Sequence, residues 1–285
     1  MRTALLPATE ATALTWPATT LPLWLRQRAR QWPDAAALID GVSGSRYSHA
    51  ALDHLVGRCA AGLSALGFGP GAVLLMVAPN APEWAIAALA ALAAGGAVSA
   101  AHPASSATEL TSQLRDTGAR FVFTTPAFLA TVRVAGADIG SAGPVQLIVL
   151  GEADASVSFT TLLACADAEP RPTAGSDSLA LWLLSPATAR HGPGQQQTHR
   201  AVLTQLGQIE RAEPLGPGDV TLSLRPMSQH EGFVRDTLSA LAQGAAVVTL
   251  PSFEPTLVRQ TIARHGITRH AITRCSAAAR SSGSP

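Results

Sequence analysis

The residues best suited to chemistry lie in one loop. After an apolar run at residues 179–184 the chain reads Ser185-Pro186-Ala187-Thr188-Ala189-Arg190-His191-Gly192-Pro193-Gly194-Gln195-Gln196-Gln197-Thr198-His199-Arg200. Small residues leaving the carboxyl end of a buried strand expose backbone N–H donors, and α/β proteins bind ligands at such loops. An ordinary glycine- and proline-rich turn accounts for the same residues. A second polar stretch is Pro226-Met227-Ser228-Gln229-His230-Glu231-Gly232. Its His230-Glu231 step is not a metalloprotease motif, because Val234 stands where the second histidine is needed. The expectation there is an exposed polar pair. His191, His199, His265 and His270 have no carboxylates at ligand spacing and are expected to be surface or helix-end histidines, so no metal site is expected.

Composition removes several chemistries. All 20 basic residues are arginines, so a Schiff base, a P-loop lysine and a lysine general base are excluded. No G-x-S-x-G elbow occurs, and no G-x-G-x-x-G follows a strand. With 47% hydrophobic residues, 14% charged and a net charge of +1, the chain is neither disordered nor an electrostatic nucleic-acid binder. Cys59, Cys165 and Cys275 form no disulfide framework and no zinc spacing. A reducing, cytoplasmic location is therefore expected, and the short apolar stretch Ala4-Leu5-Leu6, broken by Pro7, is too small for an export signal. Residues 84–101 are uncharged and just reach the length of a membrane span, but Gly95-Gly96 divides them into a buried helix and a buried strand. No membrane span is expected.

The elements that must carry these loops alternate. Apolar runs at 73–78, 120–124, 145–150, 179–184, 220–224 and 246–250 predict strands, mostly continuous in hydrophobicity as expected for parallel strands covered on both faces. Between them, Leu52, Leu55, Val56, Cys59, Leu63 and Leu66 paint one helix face over 48–66, which Gly67 stops. Ser106 with Glu109 has capping-box spacing, and Pro255 opens a helix that Gly266 closes. The fold class is α/β, with layered sheets flanked by helices. Residues 1–20 are expected to form a flexible arm, 21–272 the folded domain and 273–285 a disordered tail.

An ordered series of landmarks then resembles one family. Leu23-Trp24-Leu25-Arg26-Gln27-Arg28 through Trp32-Pro33-Asp34, Ala37-Leu38-Ile39-Asp40, Tyr47-Ser48, Pro79-Asn80-Ala81-Pro82-Glu83-Trp84, Gly96-Ala97-Val98, Glu109-Leu110, Leu215-Gly216-Pro217-Gly218-Asp219-Val220, Pro226-Met227, Gly232 and Gly244-Ala245 follow its order. Together they resemble the N-terminal part of the adenylate-forming acyl- and aryl-CoA ligases, in particular the coumarate-CoA-ligase-like members. The resemblance implies an incomplete N-terminal domain of that fold and a reaction of carboxylate with ATP to acyl-adenylate, then to a CoA thioester. It implies ATP with Mg2+ and CoA as cofactors and a small-molecule carboxylate as partner. It places phosphate binding on Ser185, Thr188, Arg190, Gly194 and Thr198, and the carboxylate pocket on Gln229, His230 and Gly232.

The chain departs from the family where charge must be held. The family loop, S-[ST]-G-T-T-G-x-P-K-G with a later T-H, aligns without a gap, yet Ala187 and Arg190 replace glycines, Ala189 a threonine and Pro193 the lysine. Glycines let N–H groups approach phosphate; Arg190 resists that backbone, although its guanidinium could return a charge, and Pro193 removes a cation and a donor together. Losing one preorganised donor costs about 3–4 kcal/mol of transition-state stabilisation. The family's aromatic-histidine step beside the carboxylate becomes Ser228-Gln229, with histidine one residue late at His230, which on an α-helix points about 100° away. The expectation is an impaired ligase; the alternative is a non-enzymatic acyl-binding or protein-interaction module. The family's small C-terminal domain has no counterpart in the sequence, which raises the further expectations of a truncation or frameshift near residue 273 and of a partner chain supplying that part.

Overall fold

A computed structural model describes residues 19–139, 144–165, 174–183 and 194–270. The N-terminal helix α1 (Leu21–Ala29) starts at Thr20 with Pro22 in its first turn and buries Leu21, Pro22 and Trp24. Strand β1 (Ala36–Asp40) turns through Gly44, at φ +82°, into the antiparallel edge strand β2 (Arg46–Ser48). Ser48 then caps α2 (His49–Ala65) by accepting from the Ala51 N–H, and Gly67, at φ +87°, ends it, as the sequence predicts.

Residues 73–198 build a seven-stranded sheet. Its strands are β3 (Val73–Val77), β4 (Ala97–Ala100), β5 (Phe121–Thr124), β6 (Gln146–Val149), β7 (Val157–Ser158), β8 (Leu179–Leu183) and β9 (Gln195–Thr198), in the order β7-β6-β5-β3-β4-β8-β9. All pairings are parallel except β8 with β9. The connecting helices are α3 (Pro82–Ala93), α4 (Ala107–Thr117), α5 (Leu129–Ala137) and α6 (Phe159–Leu163). The capping box of Ser106 and Glu109 forms at the head of α4.

The chain continues through α7 (His199–Ala212), β10 (Val220–Ser223), a π-helical segment Glu231–Leu238, α8 (Ser239–Ala242), β11 (Ala246–Thr249), α9 (Pro255–His265) and β12 (Arg269–His270). A five-stranded sheet of order β12-β10-β11-β1-β2 results, again parallel except at β2.

Helices and sheets alternate in layers because each sheet is apolar on both faces. One cluster joins Leu38 and Val247 of the smaller sheet through α2, α3, α7 and α8 to Leu74, Met76, Phe123 and Leu181 of the larger. The far face of the larger sheet packs Leu75, Val77 and Val122 on Leu110, Leu114 and Val132 of α4 and α5. Ile39, Leu222 and Val248 cover α9 through Val258. Helix α3 sits in the middle with all residues but Glu83 buried, so the uncharged stretch 84–101 is a buried helix followed by a buried strand. Among the described residues no helix is long and apolar enough to cross a membrane. Gly96 has no room for a side chain: a Cβ there would lie 2.4 Å from the Phe68 ring, which packs edge-on to Phe121 at 5.1 Å.

Candidate functional site

Strand β8 lies beside β4 at the Val98–Leu181 register and delivers the chain at Leu183. Residues 184–193 lie outside the described residues, and with them Ser185, Thr188, Arg190 and His191. The chain returns as β9, antiparallel to β8, with Gln195 opposite Leu183 and Thr198 opposite Leu179. Gly194 begins this return, where a Cβ would stand 2.9 Å from the Leu183 carbonyl oxygen, so its glycine is required by the hairpin itself.

Thr198 ends β9 and caps α7, its Oγ1 accepting from the Ala201 N–H at 3.2 Å, which leaves the hydroxyl hydrogen free to donate. His199 follows as the first residue of α7 and is wholly buried, a helix-end position but not a surface one. Its Nδ1 accepts from the Leu21 N–H at 3.2 Å, tying α7 to α1, while Nε2 is buried without a partner. Burial drives its pKa from 6.5 down to about 4, so the ring is neutral. Arg200, the next cation, forks onto Asp177 with contacts of 2.7 and 3.0 Å.

The second stretch is clamped from several sides. After β10, Asn80 at the head of α3 donates through Nδ2 to the Arg225 carbonyl (2.9 Å) and accepts from the Met227 N–H (2.7 Å). Arg225 forks onto Asp236 of the π-helical segment, at 2.8 Å through Nε and 2.5 Å through its terminal nitrogen. Burial nevertheless holds the Asp236 carboxyl above the usual carboxylate range, so this pair sets geometry more than it adds stability. Gly232 is obligatory, because a Cβ would fall 2.1 Å from the Pro226 carbonyl oxygen. Gln229 lies within this turn, donating its N–H to the Pro226 carbonyl at 3.0 Å.

The two stretches meet through a residue that sequence reasoning missed. His230 is half-buried, with Nε2 2.9 Å from Gln205 Oε1 on α7. Gln205 Oε1 also accepts from Gln197 Nε2 of β9 at 3.4 Å. The expected exposed pair at His230-Glu231 is thus corrected: both are half-buried, and the ring is bonded across to α7. The segment that follows His230 is π-helical, Glu231–Leu238, a wider coil common at functional sites. Burial lowers the His230 pKa, opposed by the Glu231 charge. Around this bridge Gln197 Oε1, Ser228 Oγ and Glu231 Oε2 are buried without partners. Such a seam offers amide, hydroxyl and imidazole groups beside the Glu231 carboxyl to a polar ligand; among the described residues no trio of His, Cys, Asp or Glu is placed to hold a metal. Neither Gln197, the buried member of the uniform run Gln195-Gln196-Gln197, nor Gln205 carried a signal in the sequence.

Residues 25–274 match the protein family described as AMP-binding enzyme. The chain is 32% identical over 252 residues to a 4-coumarate–CoA ligase of Oryza sativa subsp. japonica, covering 85% of this chain and 45% of that protein. It is 30% identical over 230 residues to a sulfoacetate–CoA ligase of Cupriavidus necator, covering 80% of this chain and 44% of that protein. The apo structure of Mycobacterium smegmatis MbtA superposes with a TM-score of 0.80 at 27% identity, over 90% of this chain and 48% of that one. The chain therefore spans less than half the length of the curated relatives it matches. On this fold, these landmarks and the match over residues 25–274, the chain belongs to the AMP-binding enzyme family of adenylate-forming ligases.

Proposed function

We propose that this chain carries the adenylation fold of an acyl- or aryl-CoA ligase whose grip on polyphosphate has been weakened, so that it activates carboxylates poorly or not at all. The observation carrying this reading is the composition of the loop after β8. Ala187, Ala189, Arg190 and Pro193 replace the residues with which the family brings backbone donors and an ammonium to the triphosphate. Ser185, Thr188, Arg190, Gly194 and Thr198 would border the phosphates. Gln229, His230 and Gly232, extended by Gln205, would border the carboxylate. Bound ATP with Mg2+ supplies the adenylyl group and CoA the thiol; this chain contributes orientation and neutral hydrogen-bonding groups, since burial keeps His230 uncharged at neutral pH.

The similarity to ligases named for 4-coumarate and sulfoacetate supports an acid–thiol ligase class, with the acid itself unassigned. ATP–pyrophosphate exchange with a panel of fatty, aromatic and small polar acids tests the proposal. The expected result is exchange near background, and robust exchange by the purified chain would overturn it. The clamped Arg225–Gly232 turn favours a second reading, an acyl-binding module that needs no phosphate grip. Specific thermal stabilisation by an acid without exchange supports that reading.

A further inference from the structure

Away from the seam, α2 and α6 cross almost backbone to backbone. A Cβ at Gly62 would stand 2.8 Å from the Leu162 Cα, so only glycine admits the contact. Cys59 precedes Gly62 by about one turn on the same face of α2 and is wholly buried, in the core cluster that also holds Phe159 and Leu162. Cys165 follows Leu162 by about one turn, its N–H closing onto the Leu162 carbonyl at 3.3 Å. The Arg58 side chain fixes the sense of the crossing, because its Nε donates to the Cys165 carbonyl at 3.0 Å. Both cysteines therefore lie on the same side of the point where Gly62 meets Leu162.

A disulfide forms where two Cα atoms come within about 7 Å. Backbones that touch at Gly62 and Leu162 and are tied again by Arg58 bring Cys59 and Cys165 into that range. Both are free thiols. Burial pushes the Cys59 thiol up to about 12, and the charge of Cys165 adds to the rise, so each sulfur lies in the other's field. Their surroundings divide the work. Cys165 is half-exposed, its Sγ 3.9 Å from the Thr161 carbonyl oxygen, and is open to a small oxidant. Cys59 is sealed from solvent and stays protonated, so its partner has to be a group already packed beside it.

We propose that Cys59 and Cys165 are a modification site separate from the ligase seam, a reversible thiol pair that a hydroperoxide closes into a disulfide between α2 and α6. In the first step the Cys165 sulfur attacks the peroxide O–O bond, giving a sulfenic acid and releasing the alcohol, or water from hydrogen peroxide; the sulfur loses two electrons and the peroxide gains them. In the second step the Cys59 sulfur displaces the sulfenic hydroxyl, which leaves as water with the Cys59 proton, and the S–S bond forms. Because Cys59 is held protonated, this step falls towards the hours end of the seconds-to-hours range of disulfide formation. A dithiol reductant reverses the closure by thiol–disulfide exchange.

The test treats the folded full chain with stoichiometric hydrogen peroxide for several hours, quenches it in acid, alkylates the remaining thiols with N-ethylmaleimide in urea and maps the peptides by mass spectrometry. The expected result is joint loss of the Cys59 and Cys165 thiols, a peptide pair linked through them, an alkylated Cys275 and an unchanged circular dichroism spectrum, with dithiothreitol restoring both thiols. In Cys59→Ala, Cys165 should stop at the sulfenic acid and take up dimedone, which the closed chain does not. In Cys165→Ser, a change at a half-exposed position, Cys59 should keep its thiol under the same treatment. Oxidation of Cys165 with Cys59 left free, linkage of either cysteine to Cys275, no loss of either thiol, or loss of the Cys59 thiol in Cys165→Ser would each overturn the assignment.

Discussion

Two regions lie buried between the same pair of sheets and solve burial in opposite ways. Helix α3 is alanine-rich and dry, with Ala85, Ala88, Ala90 and Ala91 at 0% exposure. The seam of β9, α7 and the turn after β10 buries Gln197, His199 and Ser228 instead, leaving polar atoms of each without partners. Each such atom costs about 1–3 kcal/mol, so packing alone gives no reason to keep it. The contrast teaches that the α3 layer, whose one unpartnered side-chain polar atom is Trp84 Nε1, is specified chiefly by size, whereas the seam gathers several such atoms in one place.

The largest expected effect lies where the two regions touch. The Trp84 ring of α3 packs edge-on to Phe233 of the π-helical segment, with centroids 4.9 Å apart. Trp84→Ala should cost about 3–5 kcal/mol in urea unfolding. A loss under about 1 kcal/mol would mean the dry layer refills easily and its tight packing is not what specifies it.

A smaller effect sharpens the seam's side of the comparison through pH. Buried His199 titrates at about 4 against 6.5 when unfolded. Above 6.5 its contribution to stability is complete; as pH falls towards 4 the unfolded chain takes a proton that the native ring refuses, and stability drops. Between about pH 7 and about pH 5 the loss from this ring should be about 2 kcal/mol. His49, His230 and His265, also held below their ordinary value by burial, act in the same direction. His199→Asn can keep an acceptor for the Leu21 N–H while removing the titration, and should flatten the slope; an unchanged slope would show that the ring is not the titrating group.

The smallest effect concerns the bridge. Gln205→Leu removes the acceptor shared by His230 and Gln197 and should cost about 1–2 kcal/mol, with a rise in exchange of the His230 ring proton as the local readout. A stability gain would indicate that the seam is held by shape, like α3.

Much of the architecture was legible because local rules and tertiary demand agree. The apolar runs at 73–78, 120–124, 220–224 and 246–250 contain β3, β5, β10 and β11. Ser48, the Ser106 capping box and Gly266 mark helix ends where they were expected. Strand β9 escaped notice because Gln195-Gln196-Gln197 has no apolar run; it is held by pairing to β8, with Gln197 turned inward. The site was less legible for the same physical reason. Asn80 reaches Arg225 across 145 residues and His199 reaches Leu21 across 178, contacts that leave no periodic trace in sequence. The residues whose identities were most telling, Ala187, Arg190 and Pro193, lie outside the described residues, so their meaning rests on chemistry at aligned positions.

The most direct test is calorimetric titration of ATP with Mg2+ into the unmodified chain and into a variant restored by Ala187→Gly, Arg190→Gly and Pro193→Lys. A weakened polyphosphate grip predicts affinity no better than about 1 mM for the unmodified chain and at least about tenfold tighter binding for the restored one. Magnesium-dependent binding by the unmodified chain at micromolar ATP, equal to that of the restored loop, would contradict it.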